Sequence, residues 1–267
     1  MVEHSREEKQ LLNEVLPNVA SQMRAPLSVL YAGMRKLMQE DAPEAELLNQ
    51  SYYRLLHIVS NLSAAELIDE DRYLCDRSNG DIVELCRQLS RRLEPLMESC
   101  GLCYHFSCSK KSCVILFDER LIERMLLNLI SNAMKFTPAG GSITLSLQVQ
   151  KNDVLLSVAD TGCGIAKDKM DTVFDRYLHS SRMDPVPYGL GLGLPLCRAI
   201  ARGHEGRLLV ESHEGEGTCV TAALPNVQSP IFEVHDSAFD YVGGFDHLLV
   251  ELADVLGPEA FQKKTEQ

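Results

Sequence analysis

The stretch Asn128-Leu-Ile-Ser-Asn132-Ala-Met-Lys135-Phe136 sets two amides and a cation on one side of a helix. Asn128 and Asn132 are four residues apart and Lys135 lies three further on, a spacing that stacks side chains over successive turns. Three more elements follow in a fixed order. They are Asp160-Thr-Gly162-Cys-Gly164-Ile165, then Phe174-Asp-Arg176-Tyr177, then Gly189-Leu-Gly191-Leu-Gly193-Leu194. An amide oxygen is a suitable hard ligand for Mg²⁺, and Lys135 supplies a point charge for phosphate oxygens. Asp160 can accept a hydrogen bond from an exocyclic amine, which adenine carries and guanine lacks at that position. Gly189, Gly191 and Gly193 open a helix over 194–202, where free backbone amides attract phosphate. The three-glycine run alone is equally an ordinary turn between a strand and a helix.

The four elements in this order resemble the N, G1, F and G2 boxes of the histidine-kinase ATPase domain, a branch of the superfamily shared with gyrase and mismatch-repair ATPases. The resemblance implies ATP and Mg²⁺ as cofactors, with the metal on Asn132 and Asn128 beside it. It implies that Asp160 selects adenine, that Gly162 and Gly164 let the backbone pass close to the base, and that Arg176 reaches the terminal phosphate. Phe136 is expected against the nucleotide, although on its chemistry alone it is equally a core residue. Thr218 joins the nucleotide-binding set on the same resemblance. His179 stands where the family commonly has a second basic residue; an ordinary solvated loop histidine is the plainer reading.

Composition agrees with an ordinary globular chain. The 267 residues are 45% hydrophobic and 24% charged, with a net charge of -12, which argues against nucleic acid or an anionic membrane as the main partner. Charges interrupt every apolar run before membrane-spanning length, so a cytoplasmic location is expected. Nine scattered cysteines fit reduced thiols better than a disulfide framework. The group Cys100, Cys103, Cys108 and Cys113 has some ligand-like spacing. However, 103–108 and 113–117 read as two strands joined by the polar turn 109–112, and buried strand cysteines are the simpler account.

Around this centre the chain divides into three parts: a helical hairpin (1–72), an ATP-binding domain (73–225) and a helical tail (226–267). The fold class is α+β. From about Glu8 to Gln39, Leu12, Val15, Val19, Met23, Leu27, Leu30, Met34 and Leu37 recur at helical spacing. Asp41-Ala-Pro43 breaks that pattern, and a second helix carries Leu48, Tyr52, Leu55, Val59 and Leu62. A lone hairpin cannot bury such stripes, so a homodimeric four-helix bundle is expected, as in the family, which dimerises through this hairpin. The following domain reads as a two-layer α/β sandwich, one mixed sheet backed by helices. It has helices over 81–99 and 119–136, strand 142–149 pairing with 154–159, and last strands 208–212 and 219–224. Residues 166–188 lack periodicity and read as a lid. In the tail, Phe245, Leu248, Leu249, Leu252, Val255 and Leu256 form an apolar stripe that leaves Glu251 and Asp254 aside, and Gly257-Pro258 stops the helix. That stripe is expected to dock on the chain's own ATPase domain, with partner docking as the alternative.

One departure bears on activity. Ser21-Gln22-Met23-Arg24-Ala25-Pro26-Leu27 resembles the family's phosphoacceptor motif at Arg24, Pro26 and Leu27, but Ser21 stands in place of the acceptor histidine and Gln22 in place of the acid. Imidazole attacks through a lone pair available at neutral pH, whereas a serine hydroxyl needs an activating base, and an amide does not take up a proton. His4 lies too far upstream for the same alignment, and His57 on the second helix is expected to face solvent or the bundle seam. Two readings follow. One is a sensor-histidine-kinase relative that binds Mg-ATP, with a response regulator or other signalling protein as partner and phosphoryl transfer from ATP. The other is a non-catalytic, nucleotide-dependent dimeric scaffold.

Overall fold

In the computed structural model the described residues are 23, 27, 43–69, 75–174, 191–230 and 246–261. They belong to two compact units, one formed by residues 1–70 together with 239–267 and the other by residues 71–238.

The second unit is built on a five-stranded mixed sheet. Alternating apolar residues set its strands: β2 (Cys103–Cys108), β4 (Ser142–Val149), β5 (Asp153–Asp160), β6 (Arg207–His213) and β7 (Gly217–Pro225), in the order β2-β4-β5-β7-β6. Only β2 and β4 run parallel; the other neighbours are antiparallel. Ile143, Leu145, Leu147, Val154, Leu156, Val158 and Ala222 turn to one face and are fully or almost fully buried. Helices α2 (Ile82–Ser99), α3 (Glu119–Phe136) and α4 (Gly193–Gly203) cover that face. Asp81 and Asp118 cap the first two through side-chain bonds to Val83 and Leu121 amides, satisfying amides that a helix start leaves without partners.

The segments 103–108 and 113–117 both hold strands, as expected, and β3 (Val114–Phe117) pairs with β1 (Ser78–Asp81), a strand hidden by its turn-like composition Ser-Asn-Gly-Asp. The cysteines there are not the buried strand residues the sequence suggests. Cys103 is exposed, and Cys100, Cys108 and Cys113 are half-buried. After β7 the chain stays on this unit, with Val227 O accepting from Leu116 N and the Asn79 side-chain amide bonded to Ser229 in both directions.

In the first unit, helix α1 (Pro43–Asp69) is described, along with Met23 and Leu27, both helical; the rest of the expected first helix and the turn lie outside the described residues. The apolar stripe on α1 splits. Tyr52 and Val59 are buried, while Leu48 and Leu55 are exposed beside Leu47 and Ile58.

The tail stripe is covered, but by α1, where docking on the ATPase domain was expected. Phe261 stacks on Tyr53 with ring centroids 5.2 Å apart. The side chains of Gln50 and Arg54 donate to Leu256 O and Ala253 O at 2.7 and 3.1 Å. Those carbonyls are therefore used by α1 and not by a continuing helix, and α5 spans only His247–Glu251 before a turn and a short 3-10 segment, Pro258–Phe261. Glu251, expected off the stripe, is completely buried. Its carboxylate oxygens face His57 Nδ1 at 3.6 Å and His247 Nε2 at 3.5 Å, and Asp254 faces the other nitrogen of His57 at 3.7 Å. His57 consequently lies under the tail and does not face solvent. Among the described residues no helix is long and apolar enough to cross a membrane.

Candidate functional site

Helices α3 and α4 pack side by side in antiparallel register, and that packing assembles the site. Asn128 and Asn132, on one face of α3, meet the start of α4 at Gly193. A Cβ placed on Gly193 would lie 3.3 Å from Asn128 Oδ1 and 3.4 Å from Asn132 Nδ2, so a larger residue would press on both amides. Asn128 is buried and its Nδ2 donates to Arg124 O; Asn132 is half-buried. Further along the same helix pair, the Cys197 thiol points at Met125 O. The first turn of α4 has no side-chain cap, which leaves its leading amides to other acceptors. Lys135, in the last turn of α3, is half-buried, and the Phe136 ring is exposed, so it is not a core residue.

Asp160 ends β5 and is held by two backbone amides, from Gly162 at 2.8 Å and Thr218 at 3.2 Å, both on Oδ1. Oδ2 is the oxygen left for a further donor. Burial raises the Asp160 carboxyl above its ordinary range, and the two amide bonds partly offset that rise. The loop after it is threaded through narrow gaps. Gly164 has φ +66°, and a Cβ there would fall 2.0 Å from His213 O, a contact no side chain tolerates. A Cβ on Gly162 would fall 2.4 Å from Phe136 O, which also accepts from Cys163 N.

Several supporting residues carry no motif signal. Ser212 Oγ accepts from Ile165 N, donates to Gly217 O and meets Thr218 Oγ1, all at 2.8–2.9 Å. Gly217 lets the start of β7 pass against Asp160 O. Arg198 of α4 lies over the Phe174 ring at 4.8 Å, tying residue 174 of the expected lid to the α4 helix. The contacts to Ile165, Asp160 and Phe174 are long-range, and a strand serine or helix arginine has no local feature that marks it. Of the candidate residues, the described structure thus brings Asn128, Asn132 and Gly193 together, sets Asp160, Gly162, Gly164 and Thr218 in one network, and gives Gly191 a positive φ at the entrance to α4. Ser21, Arg176, His179 and Gly189 lie outside the described residues. Among the described residues no group of three or more His, Cys, Asp or Glu is placed to hold a metal.

Comparison with known proteins bears on the fold that carries these residues. The family of histidine kinase-, DNA gyrase B- and HSP90-like ATPases matches residues 117–228. The histidine protein kinase DivJ of Caulobacter vibrioides is 29% identical over 225 residues, covering 81% of this chain and 38% of DivJ. The adaptive-response sensory kinase SasA of Rippkaea orientalis is 41% identical over 109 residues, 40% of this chain and 28% of that protein. The crystal structure of full-length ShkA in complex with AMPPNP superposes with a TM-score of 0.67 at 26% identity, covering 81% of this chain and 46% of that one. The chain therefore spans less than half the length of each of these relatives. Residues 117–228 thus match the histidine kinase-, DNA gyrase B- and HSP90-like ATPases, and the chain as a whole is similar to sensor histidine kinases.

Proposed function

We propose that this chain binds Mg-ATP as the nucleotide-handling part of a two-component signalling protein. The observation that carries this reading is the meeting of Asn128 and Asn132 with the uncapped start of α4 at Gly193, while Asp160 keeps Oδ2 for an incoming donor. In this reading Asp160 accepts from the adenine amine, Gly162 and Gly164 line the base, and Thr218 supports Asp160. The amides after Gly189, Gly191 and Gly193 take phosphate oxygens, Lys135 and Arg176 add positive charge, and Phe136 closes over the nucleotide with its exposed ring. Mg²⁺ on Asn132 would neutralise charge on the phosphates, and phosphoryl transfer of this kind depends mainly on positioning and charge.

The helical part, residues 1–72, serves as the dimerisation region. Leu47, Leu48, Leu55 and Ile58 form an exposed aliphatic face on α1, which a second copy of the chain would cover. A response regulator or another signalling protein is the partner class that follows from the kinase relatives.

A second reading has its own support. Ser21 and Gln22 replace the acceptor and its neighbouring acid, which favours a nucleotide-dependent dimeric scaffold over histidine autophosphorylation. Calorimetry with Mg-ATP tests the binding reading, which requires saturable heat that Asp160→Asn reduces. Incubation with ATP labelled on its terminal phosphate then separates the two functions. Acid-labile label on the protein marks a phosphohistidine, acid-stable label marks a hydroxyl acceptor, and binding without label marks the scaffold.

A further inference from the structure

His204 follows α4 directly and is 2% exposed. Its Nδ1 lies 2.8 Å from Ile200 O and its Nε2 accepts from the Asp118 backbone amide at 2.9 Å. The carbonyl can only accept, so Nδ1 carries the proton and Nε2 is the bare nitrogen. Asp118 is the cap of α3: Oδ1 takes the Leu121 amide and Oδ2 takes the Asp76 amide. One neutral imidazole thus joins the end of α4 to the start of α3. The opposite ends of the same two helices meet at Gly193, Asn128 and Asn132, 14 residues or ~21 Å along α3 from Asp118.

We infer that His204 is a positioning residue for the nucleotide site, holding α4 against α3 only in its neutral form. The inference rests on the Mg-ATP reading above. A sliding of α4 along α3 would move Gly193 and the phosphate-facing amides relative to Asn132, and the His204 link opposes that sliding from the far end. Protonation of Nε2 removes the acceptor and leaves the Asp118 amide buried without a partner. The groups facing the ring are few and come from each neighbouring segment. Asp118 favours its cation. Arg77, paired with Glu205 at 2.9 Å, opposes it. The Cys75 thiol sits 3.7 Å from Nδ1 and is itself pushed up to about 11 by burial, so it stays neutral. Burial dominates and holds His204 below its ordinary value. Residues 75–77, which lead into the ATPase unit, are tied to the same point through Asp76 and Arg77.

The test compares the full chain with His204→Gln, whose amide can donate to Ile200 O and accept from the Asp118 amide without titrating. Mg-ATP affinity of the natural chain is expected to fall about fivefold as pH drops below about 6.5, while His204→Gln holds its affinity across the same range. In parallel, the His204 ring is followed by NMR, and by linkage Mg-ATP must lower its titration midpoint. Coincident affinity profiles for the two proteins, or a midpoint that ignores Mg-ATP, overturn the inference and leave nucleotide binding standing. No Mg-ATP heat at any pH overturns both.

Discussion

The two units of this molecule are held together by different kinds of interaction. In the ATPase unit the helix caps and the strand alternation are local, although the glycines at close approaches face distant residues such as His213 and Asp160. In the helical unit, α1 is covered by residues some 200 positions away: Gln50 binds Leu256 O at a separation of 206, and Arg54 binds Ala253 O at 199. The contrast teaches that one chain can carry a domain whose site is announced locally beside another completed only by its own far end. The consequence is that the two units should respond separately to mutation.

The largest effect is expected from removing residues 239–267. That deletion strips Leu248, Leu252, Leu256 and Phe261 from α1, each a side chain whose burial contributes about 2 kcal/mol. The helical unit should lose its cooperative melting and its self-association, seen by calorimetry and light scattering. Mg-ATP binding by the ATPase unit should survive. If nucleotide binding disappears as well, the units are not separable in the way their contacts imply.

Glu251→Ala sharpens the same contrast at a single residue. It removes a fully buried carboxylate and leaves His57 and His247 facing a void, at a cost of about 3 kcal/mol to the helical unit. Denaturation should show this loss while the affinity for Mg-ATP stays unchanged. The converse change is Asp160→Asn, which puts an amide donor where an anionic acceptor meets the base. Affinity should fall by about 2 kcal/mol, roughly thirtyfold in calorimetry, with the helical unit's melting untouched. Equal affinity for the natural and substituted proteins would remove Asp160 from the adenine site.

The smallest effect is one of pH on the ATPase unit. The His204 midpoint is depressed on folding, so between its folded value and the ordinary value near 6.5 the unfolded chain holds more protons than the folded one. Stability must then rise with pH through that window and be lost as pH falls through it. Asp160 acts with the opposite sign: its midpoint is raised on folding, so its share of stability grows as pH falls toward the carboxylate range. Thermal melts of the natural protein and His204→Gln between about pH 7 and 5 should diverge; parallel curves would show that the imidazole does not titrate there.

Where the structure agrees with the sequence, and where it departs, follows the same division. Helix 119–136, the β4–β5 hairpin and the β6–β7 pair were legible because helical spacing, strand alternation and turn residues are local signals. The spacing of Asn128, Asn132 and Lys135 on one helix was legible for the same reason. β1 was not, because Ser78-Asn-Gly-Asp81 has the composition of a turn and becomes a strand only by pairing with β3. The supports around Asp160, namely Ser212 and Gly217, were invisible because they come from strands β6 and β7, some 50 residues further along the chain.

The amino-acid order by itself determined the candidate phosphate- and base-facing groups, the helices and strands that bear the described ones, and a serine at position 21 where the resemblance places a histidine. Those properties depend on residue chemistry and on spacings shorter than a few turns. Only the tertiary structure decided that α3 and α4 lie in a register joined at one end by Gly193 and at the other by His204. It alone decided that the tail covers α1, and that Glu251 is buried between two imidazoles although its sequence position reads as solvent-facing. A hydrogen bond or a burial between residues far apart in the chain is set by how whole elements pack, and no local periodicity encodes it.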